Sequence, residues 1–173
     1  MNIAFTKAPG KGDTDLLLFQ LAHRLISDGL RVCGTVQINT ERQREGPCDM
    51  DVRVLPDGPV LRISQNLGLG ARGCRLDSAA LESAVGLVAK SLQTGADLLI
   101  VNKFGKRESE GGGFRPVIAE ALAAGVPVLV GLNTLNAAAF QSFAAGLAIE
   151  LPAEPRALSR WIADCVIHKT MIA

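Results

Sequence analysis

The segment Lys7-Ala-Pro-Gly-Lys-Gly-Asp-Thr14 sets glycines, two lysines and a hydroxyl between a short apolar run, Ile3-Ala-Phe-Thr6, and an amphipathic stretch from Asp15 to Ser27. That order reads as strand, tight turn and helix, in which backbone N–H groups at the turn and helix start cradle a phosphate. In the intact phosphate loop, G-x-x-x-x-G-K-[ST], the lysine neutralises the β and γ groups and the hydroxyl holds Mg²⁺. Here Gly12 and Thr14 keep their places, Lys7 stands at the first glycine, and Asp13 stands at the lysine. A carboxylate there repels a phosphate. Two readings follow. In one, Lys7 or Lys11 swings across to supply the charge, with the backbone amides of Gly10 to Thr14 as cradle. In the other, Asp13 and Thr14 simply cap the following helix, where a carboxylate and a hydroxyl are favourable by about 0.5–2 kcal/mol.

A second group of chemistry-bearing residues follows the run Leu98-Leu-Ile-Val101, apolar throughout as a central parallel strand covered on both faces should be. In proteins with an intact phosphate loop such a strand ends in an aspartate that orders Mg²⁺, often beside a glutamate that polarises water. This one ends in Asn102-Lys103. Asparagine brings no charge, and lysine acts as a base at neutral pH only with a large pKa depression. Beyond it Lys103, Lys106, Arg107 and Arg115 crowd around Glu108, Glu110 and Gly111-Gly-Gly113. The glycine amides and the Arg115 fork can approach an oxyanion, or the glycines form a mobile tip. Glu108 is the candidate catalytic carboxylate, with a salt bridge to a neighbouring lysine as its other reading.

The elements that must position these residues alternate. Gly29 stops the first helix, Leu30 to Ile38 reads as a second strand, and Asn39 to Asp49 as a loop. Asp51 to Leu55 and Val60 to Ser64, joined by Pro56-Asp-Gly-Pro59, form an antiparallel hairpin insert. Gly68 to Arg75 is a flexible connection. Asp77 caps a helix with Leu81, Ala84, Val85, Val88 and Leu92 at helical spacing, and Gly95 closes it. After the strand Asp97 to Asn102, the pattern predicts a loop over Lys103 to Gly113, a helix over Phe114 to Ala124 and a strand over Val126 to Asn133. A helix over Leu135 to Ala145, a short strand Leu147 to Leu151 and a last helix from Pro155 through Trp161 complete it. This rhythm predicts a three-layer α/β fold with a mostly parallel sheet, in one domain over residues 1–173. Ligands of such sheets sit at the carboxyl ends of the strands. Thr6 to Thr14, Asn102 to Arg115 and Asn133 all fall there, so an anion is expected between the two loops, held by Lys7 or Lys11 and by Arg115 or Lys106.

Composition narrows the classes. The 173 residues are 48% hydrophobic, enough to bury a core without staples. Eighteen Lys and Arg against 17 Asp and Glu give a net charge of +1, which offers no broad basic field for nucleic acid or an anionic membrane. No signal peptide or membrane-length run is read, so a cytoplasmic location is expected. Cys33, Cys48, Cys74 and Cys165 are scattered without metal-binding spacing and read as reduced thiols. His23 and His168 have no partner pattern, and no metal site is expected.

The order of loop, helix, hairpin with Pro56-Asp-Gly58 and Leu98-Leu-Ile-Val-Asn-Lys-Phe-Gly-Lys-Arg-Glu108 resembles the THEP1-type nucleoside triphosphatases, whose corresponding strand ends D-E-I-G-K-M-E. Gly105, Lys106 and Glu108 match that pattern; Asn102 and Lys103 depart from it at the two hydrolytic positions. The segment from Asn102 to Arg115 resembles more closely the signature of the bacterial DUF2478 family, over nearly the whole chain. These resemblances imply a P-loop NTPase-like fold and binding of an anion or nucleoside triphosphate, with or without Mg²⁺. They also imply a context in molybdenum metabolism. The leading expectation is a non-hydrolytic nucleotide- or oxyanion-binding accessory or regulatory module. The alternatives are a slow nucleoside triphosphatase and a scaffold for self-association or a protein partner.

Overall fold

The computed structural model describes residues 2–40, 49–65 and 75–172. The expected connection over 68–74, the middle of the expected loop at 41–48, and Cys48 and Cys74 lie outside the described residues, as does the side chain of His168. Seven strands form one sheet in the order β4-β3-β2-β5-β6-β1-β7. They are β1 (Ile3–Thr6), β2 (Val32–Thr40), β3 (Asp49–Leu55), β4 (Val60–Arg62), β5 (Leu98–Phe104), β6 (Val128–Leu132) and β7 (Ile149–Leu151). The pairs β2·β5, β5·β6, β6·β1 and β1·β7 are parallel, and the hairpin β3·β4 extends the β2 edge antiparallel.

Among the described residues, six helices cover the two faces: α1 (Asp13–Ser27), α2 (Ser78–Gln93), α3 (Lys106–Ser109), α4 (Arg115–Ala123), α5 (Ala137–Phe143) and α6 (Pro155–Ile172). Because strand side chains alternate, Leu98 and Ile100 pack with Leu18, Leu21 and Leu25 of α1 and Leu158 and Ile162 of α6. Leu99 and Val101 pack on the other face with Leu81, Ala84 and Val88 of α2 and Val117, Ile118 and Ala121 of α4. The result is helix, sheet and helix in three layers, as the alternation predicts. Asp77 caps α2 as expected, its Oδ1 accepting from the N–H groups of Ala79 and Ala80, both at 3.0 Å.

Several boundaries differ from the sequence pattern. Asn39 and Thr40 continue β2 and Asp49 and Met50 begin β3, in place of loop. Polar residues are held in strand there because Arg62 of β4 neutralises Asp49 and Asp51 across the hairpin, at 3.0 and 2.9 Å. The strand β5 runs on through Lys103 and Phe104, and a short helix stands inside the expected loop at 106–109. The expected helix from Leu135 opens as a 3-10 turn over Thr134–Asn136, and α6 continues past Trp161 to Ile172. Among the described residues, no helix is long and apolar enough to cross a membrane.

Candidate functional site

At the start of α1, Gly12 adopts φ 86°, a left-handed conformation that glycine takes without penalty. The chain turns there, and Asp13 N donates to Gly10 O at 3.3 Å. Neither Asp13 nor Thr14 caps this helix through a side-chain hydrogen bond, which corrects that part of the capping reading, while Asp13 does stand in the first turn, where the dipole favours an acid. Thr14 Oγ1 instead accepts from Ala8 N at 2.8 Å and ties the two limbs of the turn together. The Asp13 carboxylate folds back over Gly10, where any added Cβ would collide with it. Lys7 points to β7 and pairs with Glu150 at 3.1 Å, while Lys11 is exposed with no ion pair among the described residues.

The end of β5 lies against this turn from across β6. Gly131 of β6 makes the approach possible: a Cβ there would stand 2.8 Å from both Asn102 Oδ1 and Leu18 Cδ1, and 3.3 Å from Thr14 Cγ2. Asn102 is 2% exposed, and neither polar atom of its side chain has a hydrogen-bond partner. An unpaired buried amide is costly, so this is a position that calls for a polar group. Lys103, joined to Asn102 by a cis peptide, sends its ammonium back to α1, with Nζ 3.4 Å from each oxygen of Asp15. Asp15 is buried in the first turn of the helix.

The charged segment after β5 is organised around Glu108. This carboxylate is 2% exposed and accepts from Gly105 N at 2.8 Å and Phe114 N at 3.1 Å. Burial pushes its pKa up, against the opposing pull of those amides. It therefore fills the anion cradle of its own loop, in place of the expected lysine pair. Gly113 has no side chain because the Glu108 carboxylate occupies the space of a Cβ there, and its N–H donates to Glu82 Oε1 at 3.3 Å. Arg107 pairs with the same Glu82 oxygen at 3.1 Å. Arg115 donates to the Glu108 carbonyl at 3.3 Å and stacks over Phe143, its guanidinium 4.6 Å from the ring centre. Lys106 faces Glu110 at 3.7 Å on the surface.

A cavity of about 580 Å³ opens beside this segment, at the carboxyl ends of β2, β5 and β6. Val52, Ile63, Leu81 and Phe114 form apolar walls, with Gln37 and Asn133 among its polar lining. No residue of the turn at 7–14 lines it.

The structure thus brings Asn102 and Lys103 to Thr14 and the start of α1, as a shared strand-end site requires. It turns Lys7 toward Glu150 and commits Arg115 to Phe143 and Glu108. The sequence reading missed Asp15 and Gly131. A glycine inside the apolar run Val126 to Asn133 is a signal of close backbone approach; nothing in the sequence marks Asp15 as the partner of Lys103. A Mg²⁺ ion does not fit the residues present. The donors beside Thr14 are a neutral amide, Asn102, and a carboxylate, Asp15, that already faces an ammonium.

Three comparisons bear on this arrangement. A family described as a protein of unknown function, DUF2478, matches residues 3–161. The chain is 36% identical over 152 residues to the molybdenum import ATP-binding protein ModC 2 of Bradyrhizobium diazoefficiens, a match that covers 88% of this chain and only 17% of that protein. In structure it is similar to a human cancer-related nucleoside triphosphatase, with a TM-score of 0.63, 20% identity and 96% of each chain covered. It is also similar to THEP1 from the hyperthermophile Aquifex aeolicus, with a TM-score of 0.62, 18% identity and 95% and 96% of the two chains covered. These likenesses show a P-loop NTPase-like fold.

Proposed function

The chain belongs to the DUF2478 family, and we propose that it is a non-hydrolytic module that binds a nucleotide or a tetrahedral oxyanion at the turn 10–14, as an accessory or regulatory component. The observation that carries this reading is Asn102, a buried amide with no partner at the end of β5, next to Thr14. A donor and an acceptor left unpaired there are satisfied when a phosphate-like oxygen or its water enters between the turn and the strand end. The backbone amides of the first turn of α1 supply the dipole that favours an anion. Lys11 is placed on the same turn to add charge, and Lys103 replaces a metal as the local cation. Binding is then independent of Mg²⁺.

Hydrolysis lacks its parts in this reading. No carboxylate stands at Asn102 or Lys103 to orient a metal or water, and Glu108 is engaged in holding its own segment. Glu108 thus serves as a positioning residue for the loop 105–114. The name of the relative from Bradyrhizobium supports including molybdate among the anions, and a link to molybdenum handling is part of the proposal.

Thermal unfolding with phosphate, sulfate, molybdate, ADP and ATP, each with Mg²⁺ and with a chelator, tests it. A ligand at a hundred times its Kd adds about 2.7 kcal/mol of stability, and the shift is expected to be the same in chelator. Sustained ATP turnover near 1 s⁻¹, at the low end of ordinary enzymes, or the absence of a shift with every anion, would overturn it.

A further inference from the structure

We propose that the cavity at the ends of β2, β5 and β6 takes a neutral heterocycle of roughly nucleobase size, beside the anion position at the turn 10–14, which it meets at Asn102 and Lys103. Its volume, about 580 Å³, lies within the range of small-molecule pockets, which combine apolar walls with a few convergent polar groups. Val52, Ile63, Leu81 and Phe114 provide the walls, each buried in the core of the α2 face.

The polar lining reads hydrogen-bonding edges instead of charge. Asn102, Asn133 and Asn136 contribute amides, which pair with the ring nitrogens and carbonyls of a heterocycle. Asn133 Oδ1 accepts from Asn136 N at 3.0 Å and from Asn136 Nδ2 at 2.9 Å, so the Asn133 NH₂ group keeps its donors for a ligand. Among the described residues, every charged group in the lining is matched internally. Lys103 faces Asp15, Arg75 faces Asp49, Lys106 faces Glu110, and the Glu108 oxygens accept backbone amides. An ionic ligand would enter without a free counter-charge and pay its desolvation uncompensated. A neutral one enters without that cost.

Leu135, at 92% exposure, stands on the rim of this apolar space in the 3-10 turn between β6 and α5. A leucine so exposed gains by covering a bound ring, because that contact takes its apolar surface out of water.

None of residues 7–14 lines the cavity, whereas Asn102 and Lys103 border both positions, so the two sites adjoin without sharing the turn. The test of the proposal uses indole and adenine as probes, with saturation-transfer NMR and calorimetry on the full chain. Either probe is expected to bind, to be retained in excess inorganic phosphate, and to bind at least ten-fold more weakly to Ile63→Trp, which fills the cavity. Leu135→Asp, on the surface and harmless to the core, is expected to weaken binding several-fold and decides the matter if the tryptophan variant fails to fold. Failure of both probes to bind, displacement by phosphate, indifference to Leu135→Asp, or ten-fold tighter binding of indole-3-carboxylate than of indole would overturn the proposal. The anion reading survives the first of these outcomes, so the two fail separately.

Discussion

Lys103 and Asp15 stand 88 residues apart in the chain, and Lys103 Nζ lies 3.4 Å from each oxygen of Asp15. In a hydrolytic phosphate loop the signs are opposite: the cation follows the second glycine of the turn and the acid ends the strand. Here the acid, Asp13, follows the glycine and the cation, Lys103, ends the strand. The ammonium that strand β5 brings to α1 offsets Asp15, the second acid of the first turn, while the Asp13 carboxylate lies over Gly10.

Breaking the pair from the lysine side should therefore cost more than removing both partners. The Asp15 side chain is 5% exposed and that of Lys103 32%, so Lys103→Met leaves a buried carboxylate without its ammonium. We expect a loss of about 1–3 kcal/mol in urea unfolding, with part of it restored in the double variant Asp15→Asn, Lys103→Met. A double variant less stable than the single would show that the pair is not the source of the cost.

Glu108 supplies a pH dependence whose sign follows from its burial. Its pKa in the fold is raised above the usual value of 4.5, chiefly by desolvation. The folded protein then holds a proton that the unfolded chain has released, so the contribution of this group to stability is fully present below pH 4.5 and is lost as pH rises through the folded pKa. Glu108→Gln should abolish that decline. It should also cost about 1–3 kcal/mol at low pH, because one of the two amides at Gly105 and Phe114 would face an NH₂ group. Denaturant unfolding from pH 4 to 8 tests both; an identical slope in the two proteins would refute the assignment.

Much of this site was legible from residue order, and the remainder depended on contacts between distant segments. The turn at Lys7 to Thr14, the Asp77 cap and the hairpin at Pro56-Asp-Gly58 each carry their signal within a few residues. The strand at Asp49 to Asp51 did not, because its acids are paired by Arg62 and Arg75, which lie outside the window that makes them look like loop. The helix at 106–109 is held by the reach of Glu108 to Gly105 and Phe114, not by propensity. The pairing of Lys103 with Asp15 requires the sheet order β5-β6-β1, which no local pattern encodes.

Gly131 tests the closeness of that packing. An added methyl would lie 2.8 Å from Asn102 Oδ1 and Leu18 Cδ1, so Gly131→Ala should destabilise by about 1–3 kcal/mol through overpacking. At about 2–4 °C per kcal/mol for a domain of this size, calorimetry resolves the change. The same variant should weaken phosphate binding, since it displaces Asn102. A stable variant with unchanged binding would place the anion away from β5.

The strongest test of the anion position reverses the substitution that defines the turn. Asp13, at the position of the missing lysine, carries its carboxylate back over Gly10. Asp13→Asn removes the repulsion and leaves the backbone amides as they are, whereas Asp13→Lys adds a charge-assisted contact worth about 1.5–3 kcal/mol. Since each 1.4 kcal/mol is about ten-fold in affinity, calorimetric titration with phosphate should give the order Lys tighter than Asn tighter than the natural Asp, with at least ten-fold between the ends. The order matters more than the size, because a lysine that merely attracts anions to the surface would act equally well at exposed Lys11 and would weaken steeply with salt. If both variants fold and bind phosphate no better than the natural protein, the turn serves only to start α1, and the fold must act through another surface.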